Sequence, residues 1–320
     1  MPSYLHRHGV PHVLAPRSTG DGAPGVAVDG FTLALYPMLD ATPGAAAGMS
    51  PEQWRELGTA LARIHATPLT PELTGMVGRE PFRPSRRELV PEIEALLGGA
   101  PRDPVAAELA GFWRAHRDAI HALIGRADEL GRRLARERFP RVLCHADFHT
   151  FNVLVDADRR PWIVDWDEAI VAPRERDLMF VIGGIGHGLV LPRDTASFLD
   201  GYGDAPVDGR LLTYYRVAWA VQDIAAYGEQ AVLDPKAGEG NRRAALEGFM
   251  SLFEPGNIVD IATASVNRSL GSTQGSTQGS TDAGSTGPVA PVPPDAPGEP
   301  GVAPRAGTAE PPARGRHPTG

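Results

Sequence analysis

The chain is short of three things. It holds one cysteine, Cys144, in 320 residues. That excludes a disulfide scaffold and any cysteine-rich zinc module. It holds one lysine, Lys236, the other thirty of its 31 basic side chains being arginines. And it has no long apolar run: the most apolar stretch, Leu178 to Leu191, is interrupted by four glycines and His187 and is too short to span a bilayer. No charged segment followed by an apolar one opens the chain, so a cytoplasmic location is expected, with no membrane partner. The net charge of −8 and the scattered arginines leave no basic stripe, so no nucleic-acid partner is expected either.

What is abundant is Gly (37) and Pro (31), and they are unevenly spread. Residues 265–320 are rich in Gly, Ser, Thr and Pro and nearly free of large apolar side chains, so they are expected to be a disordered tail. Residues 1–264 are long enough for one or two cores.

Short β-type runs open the chain at Val10 to Leu14, Val26 to Val28 and Phe31 to Tyr36. Ser50, Pro51 and Gln53 read as the cap of a helix whose Trp54, Leu57, Leu61 and Ile64 share a face up to Pro68. A second helix is expected from about Asp103 to Ile124, with the Arg-rich stretch Arg132 to Arg138 as its solvated continuation. Then come three short strands, Val142 to Cys144, Val153 to Val155 and Trp162 to Asp165, the last two joined as a hairpin through Asp156 to Arg160. Helices follow at about 176–182, 195–202, 208–227 and 240–253. Helices around a small β insert make an α+β arrangement.

The polar residues concentrate in that insert, as His145, Asp147, His149 and Asn152, followed by Asp165 and Asp167. A loop carboxylate, an Asn five residues on and a second Asp at the end of the next hairpin suit phosphoryl transfer. One carboxylate takes the acceptor hydroxyl proton, and the Asn and second Asp oxygens are hard ligands of the kind Mg²⁺ accepts. Two other chemistries use the same residues. Asp165 and Asp167 at the end of an apolar strand would suit a haloacid-dehalogenase-type phosphatase, with Asp165 as nucleophile. His145, Asp147 and His149, at alternate positions of a strand, would share one face and could form a hydrolytic metal site.

The H-x-D-x-x-x-x-N run from His145 to Asn152, followed by an apolar strand and the I-V-D-W-D run at 163–167, resembles the aminoglycoside phosphotransferase family of kinase-like enzymes. Together with the segments at 80–83 and 172–180 it resembles most the spectinomycin phosphotransferases. The resemblance implies a protein-kinase-like α+β fold with a mostly helical C-lobe and ATP and Mg²⁺ as cofactors. It implies Asp147 as base with His145 bracing its loop, Asn152 and Asp165 as metal ligands, and Asp177 as structural support. Leu35, Tyr36, Pro37 and Met38 would be the hinge that meets the nucleotide. The implied substrate is a small molecule, a cationic aminocyclitol phosphorylated on a hydroxyl, with Trp219, Asp223 and Tyr227, spaced along one helix face, as candidate contacts. Kinases of homoserine, choline, methylthioribose and fructosamine share the signature. A pseudokinase-like binding protein is the non-catalytic alternative.

The chain departs from that family in one respect. Such kinases place a strand lysine on the α- and β-phosphates, and Lys236 lies far beyond the catalytic signature. The hinge-like segment already begins at Leu35, so the N-lobe is expected to be largely missing. The expected domains are a remnant of that lobe with the hinge (1–38), the C-lobe (39–264) and the tail (265–320), with weak ATP binding and little activity from this chain.

Overall fold

The computed structural model describes residues 1–234 and 238–274. The elements in chain order are α1 (Pro2–Arg7), β1 (Val26–Val28), β2 (Phe31–Leu33), β3 (Ala41–Pro43), α2 (Gly44–Ala47), α3 (Pro51–His65), α4 (Pro71–Met76), β4 (Gly78–Arg79), α5 (Val90–Leu97) and α6 (Pro104–Leu134). They continue with β5 (Val142–Cys144), β6 (Val153–Asp156), β7 (Pro161–Ile163), β8 (Ile170–Ala172), α7 (Glu175–Leu178), α8 (Pro192–Tyr202), α9 (Gly209–Gly228), α10 (Glu239–Ser251) and α11 (Ile258–Gln274).

Helix α3 starts as its sequence dictates. Ser50 Oγ accepts the Gln53 N–H and Gln53 Oε1 accepts the Ser50 N–H, closing a reciprocal cap. Its Trp54, Leu57, Leu61 and Ile64 face is buried. Gln53 also donates to the Arg159 carbonyl at 2.7 Å, tying the helix to the β6–β7 hairpin. Helix α8 crosses α3 so closely that a Cβ on Gly58 would strike the Phe198 carbonyl, and one on Gly201 the Arg55 carbonyl. Only glycine permits this crossing, which carries Tyr202 towards the end of α3.

Helix α6 is a single 31-residue rod that absorbs the first part of the Arg-rich stretch, with Arg132 and Arg133 exposed on its last turn. Helix α9 is buried along most of its length because α6, α7, α10 and α11 all pack against it. No helix among the described residues is long and apolar enough to cross a membrane.

Two three-stranded sheets hold the insert. In one, β6 is flanked by β3 and β7, both antiparallel to it, with Val153 opposite Ile163 in the expected hairpin. In the other, β8 lies between β4 (parallel) and β5 (antiparallel). The loop after β5 and the turn after β7 both cross from one sheet to the other, so the polar residues they carry meet in the gap.

Several sequence expectations need correction. Residues 10–14 supply only an isolated bridge, Val13 to Ile163, rather than a strand. The segment after Pro173 is a single helical turn, α7, not a helix to Ile182. Helix α11 runs ten residues into the region read as tail. Ser265 is buried there and accepts a 3.0 Å hydrogen bond from Arg216 of α9. Residues 275–320, the rest of that region, and Lys236 lie outside the described residues.

Candidate active site

The β5–β6 loop hangs from Asp177, a fully buried carboxylate on α7. Asp177 Oδ1 accepts the Ala146 N–H at 2.6 Å, and Oδ2 accepts the His145 N–H at 2.9 Å. His65, at the end of α3, places Nε2 2.9 Å from the same Oδ2, while its Nδ1 meets the Tyr202 hydroxyl at 2.7 Å. Burial alone would raise the Asp177 carboxyl. The His65 contact and charge and the backbone donors outweigh it and hold the group below its ordinary value. His65, Cys144 and Asp177 are the one cluster among the described residues with metal-ligand proximity. Their donors and acceptors are already spent on one another and on the backbone, so the cluster is a hydrogen-bonded brace.

His145 is locked as a neutral ring. Its Nδ1 accepts the Asp147 N–H at 3.2 Å, so Nε2 is the protonated nitrogen, facing the Val164 carbonyl at 2.9 Å. Burial is the main cause that keeps its pKa below the ordinary histidine value. The ring therefore bridges the two loops that cross the gap, and a second bond, Val164 N–H to the Asn152 carbonyl at 3.0 Å, joins them again. Between them Ala146 adopts a left-handed φ of 69°, strained for a side chain with a Cβ. Both of its neighbours are fixed by Asp177 and His145, which hold that strain in place.

Asp147 follows directly. The Asn152 amide donates to Asp147 Oδ2 at 2.8 Å and to the Asp147 carbonyl at 3.0 Å. Its Nδ2 is thus fully engaged, and Oδ1 of Asn152 is turned to the other side without a protein donor among the described residues. Asp147 Oδ1 lies 3.1 Å from His149 Nε2, but the contact is not aligned as a hydrogen bond, so this buried oxygen has no true partner. Burial would raise the Asp147 pKa; the His149 contact and charge and the Asn152 donor lower it further than burial lifts it.

Asp165 sits on the crossing turn after β7, exposed and at φ 62°. Asp167 and Glu168 are exposed beside it. The turn stands off an antiparallel sheet, whereas a haloacid-dehalogenase-type nucleophile needs a parallel one. The shared-face metal reading of His145, Asp147 and His149 fails too. The loop is not a strand, and His145 turns both ring nitrogens to the backbone.

Leu35 to Met38 form an extended, mostly exposed segment, with Met38 98% exposed. The Leu35 carbonyl is taken by the Arg17 N–H at 2.7 Å. Burial and then the charges of Asp167 and Asp165 raise the Tyr36 pKa, so this segment runs beside the Asp165 turn.

The three α9 residues separate. Trp219 is buried edge-on against Phe180, 4.9 Å between ring centres, with the Arg176 guanidinium 5.3 Å from its ring centre; its place is in the packing. Asp223 and Tyr227 are half-buried. Burial, followed by the negative charge of Asp147, pushes the Asp223 carboxyl up to about 7, so the two carboxylates share one electrostatic neighbourhood. His65 and Tyr202 are the contributors that the sequence alone does not mark for a site role. For His65 the only signal is its position at the end of an amphipathic helix.

The sequence profile of the phosphotransferase enzyme family (APH) matches residues 3–221. The chain belongs to this phosphotransferase family. It is an enzyme of the small-molecule kinase type, which phosphorylates a hydroxyl group. Its fold is similar to that of spectinomycin phosphotransferase APH(9)-Ia in complex with ADP and spectinomycin, with TM-score 0.73 and 31% identity, covering 82% of this chain and 80% of that one. The AMP-bound complex of the same phosphotransferase gives TM-score 0.72 and 32% identity, covering 82% of each chain. No curated protein sequence matches the chain.

Proposed function

We propose that this phosphotransferase moves the γ-phosphoryl group of ATP to a hydroxyl of a cationic aminocyclitol of the spectinomycin type. The observation that carries the reading is the state of Asp147. Asn152 fixes one carboxylate oxygen at 2.8 Å, while the other is buried without an aligned donor. A substrate hydroxyl directed at Oδ1 would satisfy it and hand over its proton as the oxygen attacks phosphorus. The depressed pKa keeps Asp147 ionised at neutral pH and ready to accept.

The donor set beside Asp147 fits a hard cation. Asn152 Oδ1 and the Asp165 carboxylate would hold Mg²⁺, which when bound neutralises charge on the phosphate oxygens. The backbone edges of Tyr36 to Met38 would meet the nucleotide base, while Leu35 braces the segment through Arg17. Asp223 would receive a substrate ammonium on the far side of Asp147, and its high pKa suits a carboxyl awaiting a cation. Trp219 supports that helix face from behind.

The described residues before Leu35 hold α1, the β1–β2 hairpin and the Val13 bridge, and residues 1–34 contain no lysine. This observation favours a second reading, a non-catalytic binding protein. Assay of phosphate transfer from ATP to spectinomycin, choline and homoserine, with wild type and Asp147→Asn, separates the two. A kinase loses transfer in the variant and keeps its nucleotide affinity; a binder has no transfer to lose.

A further inference from the structure

The arginines of this acidic chain gather in two short segments. Arg83, Arg86 and Arg87 fall within five residues, and Arg132, Arg133, Arg136 and Arg138 within seven. The fold fastens the two segments together. A Cβ on Gly131 of α6 would strike the Phe82 carbonyl, so only glycine lets the helix lie this close to residues 81–87. Arg87 then donates to Asp128 through two nitrogens, Nε to Oδ1 at 2.8 Å and Nη2 to Oδ2. Phe82 and Arg86 both hold left-handed backbone, at φ 54° and 58°. Such a conformation persists at a bulky side chain only where the surroundings over-determine it.

Between the two segments lies a pocket of about 310 Å³. Small-molecule sites run from roughly 300 to 1,000 Å³, so it suits a compact ligand. Phe82, Gly131 and Ala135 give it an apolar lining. No residue of the 145–152 loop, of the Asp165 turn or of the hinge-like segment 35–38 lines it. It is a place apart from the candidate active site.

Its charged lining is unbalanced. Arg83, Arg87 and Arg132 face a single carboxylate, Asp128, three positive groups against one negative. Asp128 is spent on Arg87. Arg86 is held by Glu229, outside the pocket. Arg83 comes only within 3.9 Å of Glu88, and Arg132 has no ion pair among the described residues. Both are exposed. Arg133, the next residue on α6, turns to Glu129 at 4.0 Å and does not line the pocket. Two guanidinium groups without strong partners thus flank an apolar surface, in a chain whose net charge is −8.

A phosphate group matches that arrangement. Its oxygens accept paired N–H bonds from one planar guanidinium, and a second guanidinium balances the remaining charge. We propose that the pocket between residues 81–87 and the end of α6 binds a small phosphomonoester. Its phosphate lies between Arg83 and Arg132, and its organic part lies against Phe82 and Ala135. The Arg87–Asp128 pair and the Gly131 contact hold the two cations apart at a fixed span. The site is independent of Asp147 and of the phosphotransfer reading.

The test uses the full chain with saturating ADP and Mg²⁺, which occupy the nucleotide's own phosphate contacts. Phenyl phosphate is titrated by ligand-observed NMR, with phenol as its uncharged counterpart. Arg83→Gln and Arg132→Gln each remove one charge from an exposed position of the lining. Arg133→Gln removes the same charge one residue outside it. The expected result is saturable phenyl phosphate binding to wild type, at least fivefold weaker in Arg83→Gln and Arg132→Gln and unchanged in Arg133→Gln. Phenol binding should be the same in all four proteins, and so should the melting temperature, because exposed substitutions of this kind move stability little. Equal weakening in Arg133→Gln would reduce the effect to general surface charge and overturn the inference. Unchanged binding in both lining variants, or no binding to wild type, overturns it as well.

Discussion

Asp177 and Ala146, far apart in sequence, are joined by a 2.6 Å hydrogen bond from the Ala146 N–H to Asp177 Oδ1. Through that bond a carboxylate on α7 sets the backbone of the residue before Asp147. The candidate site is thus positioned from behind by a group that cannot reach any substrate.

Asp177→Ala leaves the His145 and Ala146 N–H groups and His65 Nε2 without their acceptor. Each unsatisfied buried donor costs about 1–3 kcal/mol, so urea denaturation is expected to show a loss of roughly 3 kcal/mol or more. The wild-type stabilisation has a definite sign with pH. The folded pKa of Asp177 lies below its ordinary 3.8, so its contribution is present above that value and lost as pH falls beneath it. Asp177→Ala should flatten the acid limb of the stability curve; an unchanged limb would contradict the assignment.

Ala146 pays for its left-handed φ with its Cβ. The penalty is about 1–2 kcal/mol relative to glycine, so Ala146→Gly is expected to hold or raise the denaturation midpoint. Ala146→Val, bulkier and buried, should lower it and reduce transfer. A destabilised glycine variant would show that the loop is not strained as described.

Asp223 behaves oppositely to Asp177. Its pKa is raised from 3.8 to about 7, so its contribution to stability is full below 3.8 and is lost as pH rises through about 7. Asp223→Asn should remove that decline, leaving the variant relatively more stable at pH 8 than at pH 5. Asp147, His149 and Arg176 all act on this carboxyl, so the step belongs to the group of charges rather than to one residue. An ammonium ligand bound beside Asp223 should release a proton near pH 6.5, detectable by calorimetry in two buffers of different ionisation heat. Binding without proton release places the cation elsewhere.

The residues of the candidate site stand out in the sequence because they are grouped locally. His145, Asp147 and Asn152 lie on one short loop, and Asp165 follows the hairpin whose register the Val153 and Ile163 alternation sets. Helix α3 was legible from its cap and apolar face. What was hidden depends on contacts remote in sequence. His65 reaches Asp177 only because α3 ends against the loop, and Asp223 meets the charge of Asp147 only once α9 is packed. Trp219 shares the helical spacing of Asp223, yet lies buried beside Arg176 and Phe180, a difference no periodicity reveals. Helix α11 was concealed by composition: Ile258, Val259, Ala262 and Ser265 form a buried stripe that runs into residues resembling a tail.

The most direct measurement is phosphate transfer from saturating ATP to spectinomycin by wild type and Asp147→Asn, with ADP binding measured on both. General base removal costs about 10²–10⁴ in rate. The account predicts slow acceptor-dependent transfer in wild type, a loss of at least a hundredfold in Asp147→Asn, and equal ADP affinity. Transfer that survives the substitution, or none to any small hydroxyl acceptor at saturating ATP, would contradict it.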